Sequence, residues 1–133
     1  MREQQARERL PDERNGRTLH FTILNRVETN AEVAIEEVKG YCTVGEYTDG
    51  RLGEVFVKLG KPGEERALLD QWGIAASIAL QRGAGIRELF GKHVGTRFEP
   101  YGAVRGVVGI ERCTSVLDLI SRWVILKYEK ETS

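Results

Sequence analysis

The chain is poor in the residues from which small domains build metal sites or cross-links. It holds two cysteines, Cys42 and Cys113, and two histidines, His20 and His93, among 133 residues. Neither thiol sits in a C-x-x-C pair and neither histidine has a second at ligand spacing, so no disulfide framework and no structural zinc pattern is present. Both cysteines are expected as buried free thiols. Long apolar runs are missing as well: nothing approaches the roughly 20 residues that cross a bilayer. The opening "MREQQARERL" lacks the apolar core of a signal peptide. The expectation is a soluble, cytoplasmic protein with no membrane segment. Nor does one sign of charge dominate, because 20 Lys and Arg balance 20 Asp and Glu. No net positive field draws the chain to nucleic acid.

Catalytic and nucleotide signatures are absent too. There is no G-x-x-x-x-G-K-[S/T] string, and "GKPGEE" has the wrong spacing to serve as one. "GAGIRELFGKHVG" lacks the third glycine of the dinucleotide fingerprint. No nucleophile elbow or metalloprotease helix occurs, and the many carboxylates form no recognisable acid–base pair. Catalysis, cofactor and metal are therefore not expected.

What is there suffices for one domain with a real core and is too short for two. Residues 1–16, rich in Arg, Glu and Gln, read as a charged arm, flexible or helical, ahead of a single domain over 17–133. "RTLHFTIL" alternates Leu19, Phe21 and Ile23 against His20, Thr22 and Leu24, as a strand covered mainly on one face does. "NRVETNAEVAIEEV" is ambiguous between a short helix and an irregular strand. In "YCTVGEYTDGRLGEVFVKLG", Asp49-Gly50 predicts a two-residue type I′ turn. Counting outward from it pairs Val44 with Val55, Cys42 with Val57 and Thr43 with Phe56, which puts the first four on one apolar face. Gly45 and Gly53 mark possible bulges or close backbone approach.

Beyond Pro62 the period becomes helical. Leu68, Leu69, Trp72, Ala76, Ala79 and Leu80 form one face, and Gly83 suits a left-handed exit. Ile86, Leu89 and Phe90 point inward from a short helix. The last segment, "CTSVLDLISRWVILKYEK", opens with the capping spacing of Ser115 and Asp118 and is apolar around much of its circumference. Such a helix is either central to the domain or part of a subunit interface. The fold expected is α+β, an antiparallel hairpin or meander sheet packed against two or three helices with a long apolar C-terminal helix.

The segment "TRFEPYGAVRG", residues 96–106, is the densest in chemistry. Arg97 and Arg105 each offer a planar fork of donors to phosphate or carboxylate, while Gly102 and Gly106 could leave backbone donors accessible. Tyr101 could stack on a base, and Glu99 could accept from a base or ribose. An ion pair from Arg97 to Glu99 or Asp118 is the structural alternative.

Residues 17–128, from "GYCTVGEYTDGRLGEVFVKLGKPG" through "TRFEPYG" to "CTSVLDLISRW", resemble the accessory domain near the end of many adenosylcobalamin-dependent class II ribonucleotide reductases, the TSCPD-related domain. Arg97, Phe98, Glu99, Pro100, Gly102, Ser115, Asp118, Arg122 and Trp123 stand at positions that carry this pattern. The resemblance implies an α+β module concerned with assembly, regulation or nucleotide-related interaction, here as a free-standing protein. It does not imply reductase chemistry, which needs a large radical-bearing barrel, and "RCTSVLD" lacks the literal Cys-Pro-Asp string.

Two functions follow as expectations. The first is a non-catalytic nucleotide-binding or regulatory module, with Arg97, Glu99, Tyr101, Arg105 and Arg122 toward a nucleotide or other anionic small molecule. In it Phe98, Pro100, Gly102, Ser115, Asp118 and Trp123 are structural. The second is a structural adaptor or oligomerisation protein without a ligand, acting through a homo-oligomer or a protein partner.

Overall fold

A computed structural model describes residues 6–60 and 63–129. In chain order it contains strands β1 (Gly16–Glu28), β2 (Val33–Glu46) and β3 (Leu52–Leu59), helices α1 (Glu64–Gln81) and α2 (Ile86–Phe90), a 3-10 turn at Gly91–His93, strands β4 (Gly102–Arg105) and β5 (Arg112–Cys113), and helix α3 (Val116–Tyr128). The five strands form one sheet in the order β3-β2-β1-β4-β5, with every pairing antiparallel. The architecture is α+β, a curled antiparallel sheet packed against three helices.

The ambiguous stretch after "RTLHFTIL" is strand on both sides of a turn. β1 runs on to Glu28, the Thr29 amide donates to the Glu32 carbonyl at 2.9 Å, and β2 starts at Val33. Phe21 and Ile23 are buried, as their alternation predicts.

The β2–β3 register agrees with the sequence reading, with Cys42 opposite Val57, Thr43 opposite Phe56 and Val44 opposite Val55. The turn that produces it does not. Tyr47 and Arg51 close a three-residue loop, and Gly50 alone takes a positive φ, 89°. Asp49 stays at negative φ and instead accepts from the Arg51 amide at 3.1 Å, so the turn is not type I′. The extra loop residue shifts the register by one, and an irregularity at Gly45/Glu46, opposite Gly53, shifts it back. Two offsets cancel, which is why a wrong turn still yielded the right pairs.

α1 covers the open edge of β3. The Ser77 hydroxyl accepts from the Val55 amide at 3.0 Å and donates to the Val55 carbonyl at 3.1 Å. The Gln81 side chain donates to the Gly53 carbonyl at 3.0 Å. Backbone groups that would otherwise invite another strand are thus satisfied by a helix. The approach is close because Gly73 faces β3, where a Cβ would lie 3.1 Å from the Val55 carbonyl oxygen. The buried face is Leu69, Gly73, Ala76, Ser77 and Leu80, while Leu68, expected inside, is 70% exposed. Gly83 exits at φ 96°, with its amide on Leu80 and the Ala84 amide on Ala79, the Schellman arrangement. Pro62 and residues 1–5 lie outside the described residues.

The described part of the arm, residues 6–15, is not helical. Its backbone is held by the fold: the Glu8 amide donates to the Gln81 carbonyl at 2.8 Å, and the Tyr47 hydroxyl donates to the Glu8 carbonyl at 2.5 Å. Arg14 pairs with Glu54 at 2.7 Å. Charged residues spaced along an extended segment met partners on α1 and the β2–β3 hairpin, which a local reading cannot see.

α3 is central rather than peripheral. Val116, Leu119, Ile120, Trp123 and Val124 are all buried, and Leu126 alone among its large apolar residues is largely exposed. At 13 residues it is shorter than the 18-residue α1, which corrects the expectation of a long C-terminal helix. Among the described residues no helix is long and apolar enough to cross a membrane.

Cys42 lies fully inside this core, and burial pushes its thiol up to about 12. It is therefore protonated and enclosed at neutral pH, so a thiol reagent such as DTNB should leave Cys42 unmodified in the native protein and label it on unfolding in guanidinium. Labelling of Cys42 in the folded state at the rate of an exposed thiol would contradict this packing.

Candidate functional site

Residues 96–106 read from the sequence as a structured hinge between two helical parts, but the structure makes only residues 95–101 a loop. They lead into β4, which lies beside β1 with Ile23 opposite Val104 and Asn25 opposite Gly102. The loop is fixed from several sides. The Gly95 amide donates to Asp118 Oδ1 at 2.8 Å, the Phe98 amide to the Thr114 carbonyl at 3.2 Å, and the Tyr101 amide to Asn25 Oδ1 at 3.2 Å. The Thr114 hydroxyl donates to the Thr96 carbonyl at 2.9 Å. Pro100, buried, follows a cis peptide bond.

Asp118 organises this side of the molecule. It is 3% exposed, and besides Gly95 its carboxylate accepts from the Thr114 amide at 3.0 Å and from Arg122 at 3.1 Å. Its own amide donates to the Ser115 hydroxyl at 3.0 Å, so Ser115 caps α3 as its position implies. Burial pushes the Asp118 carboxyl up, but the Gly95 and Thr114 amides and Arg122 outweigh burial and hold it below the usual carboxylate value. The ion pair expected from Arg97 to Asp118 does not form; Arg122, one turn along α3, occupies that role.

A cleft of about 680 Å³ opens over this clamp. Arg97, Glu99, Tyr101 and Arg122 line it, together with Phe98 and Gly102. Arg105 does not: it points away on β4 and pairs with Glu37 at 3.1 Å. Trp123 is buried in the core. Arg112, Cys113, Thr114 and Asp118 complete the lining; Arg112 and Thr114 were not singled out from the sequence, and Cys113 only as a buried thiol. The available signal was alternation, since a buried Cys113 on a short strand turns its neighbour Arg112 outward.

Charge in the cleft is unevenly committed. Arg122 is occupied by Asp118 and by the Arg112 carbonyl, to which it donates at 2.7 Å. Arg97, Arg112 and Glu99 have no hydrogen-bond or ion-pair partner for their side chains among the described residues. Two guanidinium forks and one carboxylate without partners among the described residues therefore line the same concave surface as the half-exposed Tyr101 ring. Among the described residues of the lining, nothing resembles a nucleophile activated by a base.

Gly102 and Gly106 serve the sheet. Gly102 (φ 146°) and Gly106 (φ 94°) flank β4, and a Cβ on them would lie 2.2 Å from the Leu24 carbonyl oxygen and 2.8 Å from the His20 carbonyl oxygen. They let β4 reach β1. Among the described residues no group of three or more His, Cys, Asp or Glu could hold a metal ion.

Comparison with known proteins identifies the family. A family described as the TSCPD domain matches residues 2–128. The chain is similar to the vitamin B12-dependent ribonucleotide reductase of Bradyrhizobium diazoefficiens, 36% identical over 123 residues that make up 92% of this chain and 9% of that protein. The corresponding protein of Rhodopirellula baltica is 38% identical over 119 residues, 89% of this chain and 10% of that one. That of Streptantibioticus cattleyicolor is 33% identical over 124 residues, 92% and 18%. The chain thus spans about a tenth of the length of the first two relatives. No solved structure matches it.

Proposed function

The chain belongs to the TSCPD domain family, and from that premise we propose that it is a non-catalytic accessory module that binds a nucleotide or a similar anionic small molecule in the arginine cleft. It corresponds to a small accessory region of vitamin B12-dependent ribonucleotide reductases, proteins named for work on nucleotides. The observation that carries the ligand reading is the pair of unpartnered guanidinium groups, Arg97 and Arg112, facing one concave surface. A structural arginine spends its donors on the protein, as Arg122 does here. Tyr101 supplies a ring face for a base, and Glu99 an acceptor for base or sugar donors.

Calorimetric titration with a panel of ribo-, deoxyribo- and cyclic nucleotides tests this. Saturable binding is expected for at least one phosphate-bearing member, weakening with salt. Arg97→Ala and Arg112→Ala should each reduce its affinity by about tenfold or more, the scale of a lost charge-assisted hydrogen bond. Arg105→Ala should leave it unchanged. Absence of saturable binding across the panel would sink the proposal.

A further inference from the structure

A second concavity, about 360 Å³, lies between the start of α1 and the start of α3, and it shares Phe98 and Glu99 with the arginine cleft. Leu68, Trp72, Phe98 and Leu117 wall it. Leu68 stands 70% exposed, an apolar cost the fold itself does not need. Trp72 is held rigidly: its indole N–H donates to His93 Nε2 at 3.1 Å, and its ring meets Phe90 edge-on. With its one polar atom satisfied, Trp72 presents only an apolar surface to the groove.

The rim is acidic. Glu64, Glu65 and Glu99 border the groove, and no cation among the described residues pairs with any of them. Glu64 and Glu65 sit in the first turn of α1, where a helix N-terminus favours carboxylates. Glu99 sits on a loop and has no such reason.

We propose that this groove docks a short segment of a partner protein in which a bulky apolar side chain is flanked by Lys or Arg. The apolar walls accept the anchor, and the unpartnered carboxylates select the sign of its flanks. Docking is also linked to the neighbouring cleft through Glu99. The phosphate of an anion there is repelled by Glu99. A basic flank against one oxygen of that carboxylate relieves the repulsion while the other can still accept from base or sugar, so each ligand strengthens the other by the same factor. This linkage rests on the anion-binding reading of the cleft; docking by itself does not.

The test pans a random-peptide phage library on the whole protein and counter-selects on Leu68→Lys, a change at an exposed position whose folding is checked by its thermal melt. Enriched peptides should share an apolar residue between basic ones. A synthetic, fluorescein-labelled winner should lose about tenfold or more in affinity on Leu68→Lys by anisotropy. A nucleotide found to bind in the calorimetric panel should tighten the peptide about fivefold, and Glu99→Gln should abolish that gain. No enriched set, acidic winners, or binding indifferent to Leu68→Lys overturns the groove. Peptide affinity that the nucleotide leaves unchanged or lowers overturns the linkage. Peptide binding with a silent nucleotide panel keeps the groove and removes the cleft reading, whereas nucleotide binding without peptide enrichment does the reverse.

Discussion

Asp118→Ala should cost the domain about 3 kcal/mol in urea or guanidinium unfolding, because it removes one acceptor from three donors at once. The Gly95 and Thr114 amides and the Arg122 guanidinium all converge on this 3%-exposed carboxylate, so the variant leaves donors without partners and an arginine without its counter-charge. The loss carries a pH signature. The Asp118 carboxyl is held below its ordinary value, so its contribution is fully present above the unfolded carboxyl value of about 3.9. That contribution fades as pH falls below this value and through the lower folded one. The gap between wild type and variant should therefore be constant from pH 5 to 7, on the order of the full effect, and shrink toward pH 3. A gap that did not narrow in acid would mean that the carboxylate's charge is not what holds the loop. If the cleft binds a nucleotide as proposed, its affinity should fall as well, since Arg97 and Tyr101 sit on the loop that Asp118 anchors.

Gly102→Ala should be as damaging, at about 3 kcal/mol or more, for a reason unconnected with any ligand. A methyl group there would lie 2.2 Å from the Leu24 carbonyl oxygen, which is backbone in the middle of β1 and cannot yield. The expected consequence is loss of the β1–β4 pairing, read as faster hydrogen exchange at the Leu24 and Ala103 amides, which alternate with the Val104 amide that turns to Glu111, together with loss of stability. Gly95→Ala separates close approach from conformation. Gly95 also has a positive φ, 84°, but a Cβ there meets nothing within 4 Å. It should cost only the left-handed penalty of about 1–2 kcal/mol. Equal effects at the two glycines would show that approach to β1 is not what Gly102 serves.

The two variants mark the boundary of what could be read locally. The β2–β3 hairpin was legible because its strands are adjacent in sequence and one face is buried, so a slip of one residue would invert the pattern. The Ser115 cap and the Gly83 exit were legible because caps depend on a few neighbouring residues. β4 and β5 were not, since they are short strands whose partners lie elsewhere: Gly102 pairs with Asn25 across 77 residues, and nothing in "GAVRG" points there. The cleft inherits this division. Arg97, Glu99, Tyr101 and Arg122 could be named from their segment, but Arg112 joins them only because β5 pairs with β4, and Arg105 leaves them because alternation along β4 turns it toward Glu37.

By itself, then, the sequence determined most of the core, the register of one hairpin, the exit of α1 and the cap of α3, and a segment dense in arginine and aromatic side chains. All of these depend on periodicity or on neighbours within a few residues. The tertiary structure alone decided that Asp118 takes Arg122 rather than Arg97, that Gly102 lets β4 reach β1, and that Arg97 and Arg112 line the same cleft. These are choices of partner among side chains far apart in the chain. A charged group settles such a choice by distance and burial in space, which local pattern does not encode.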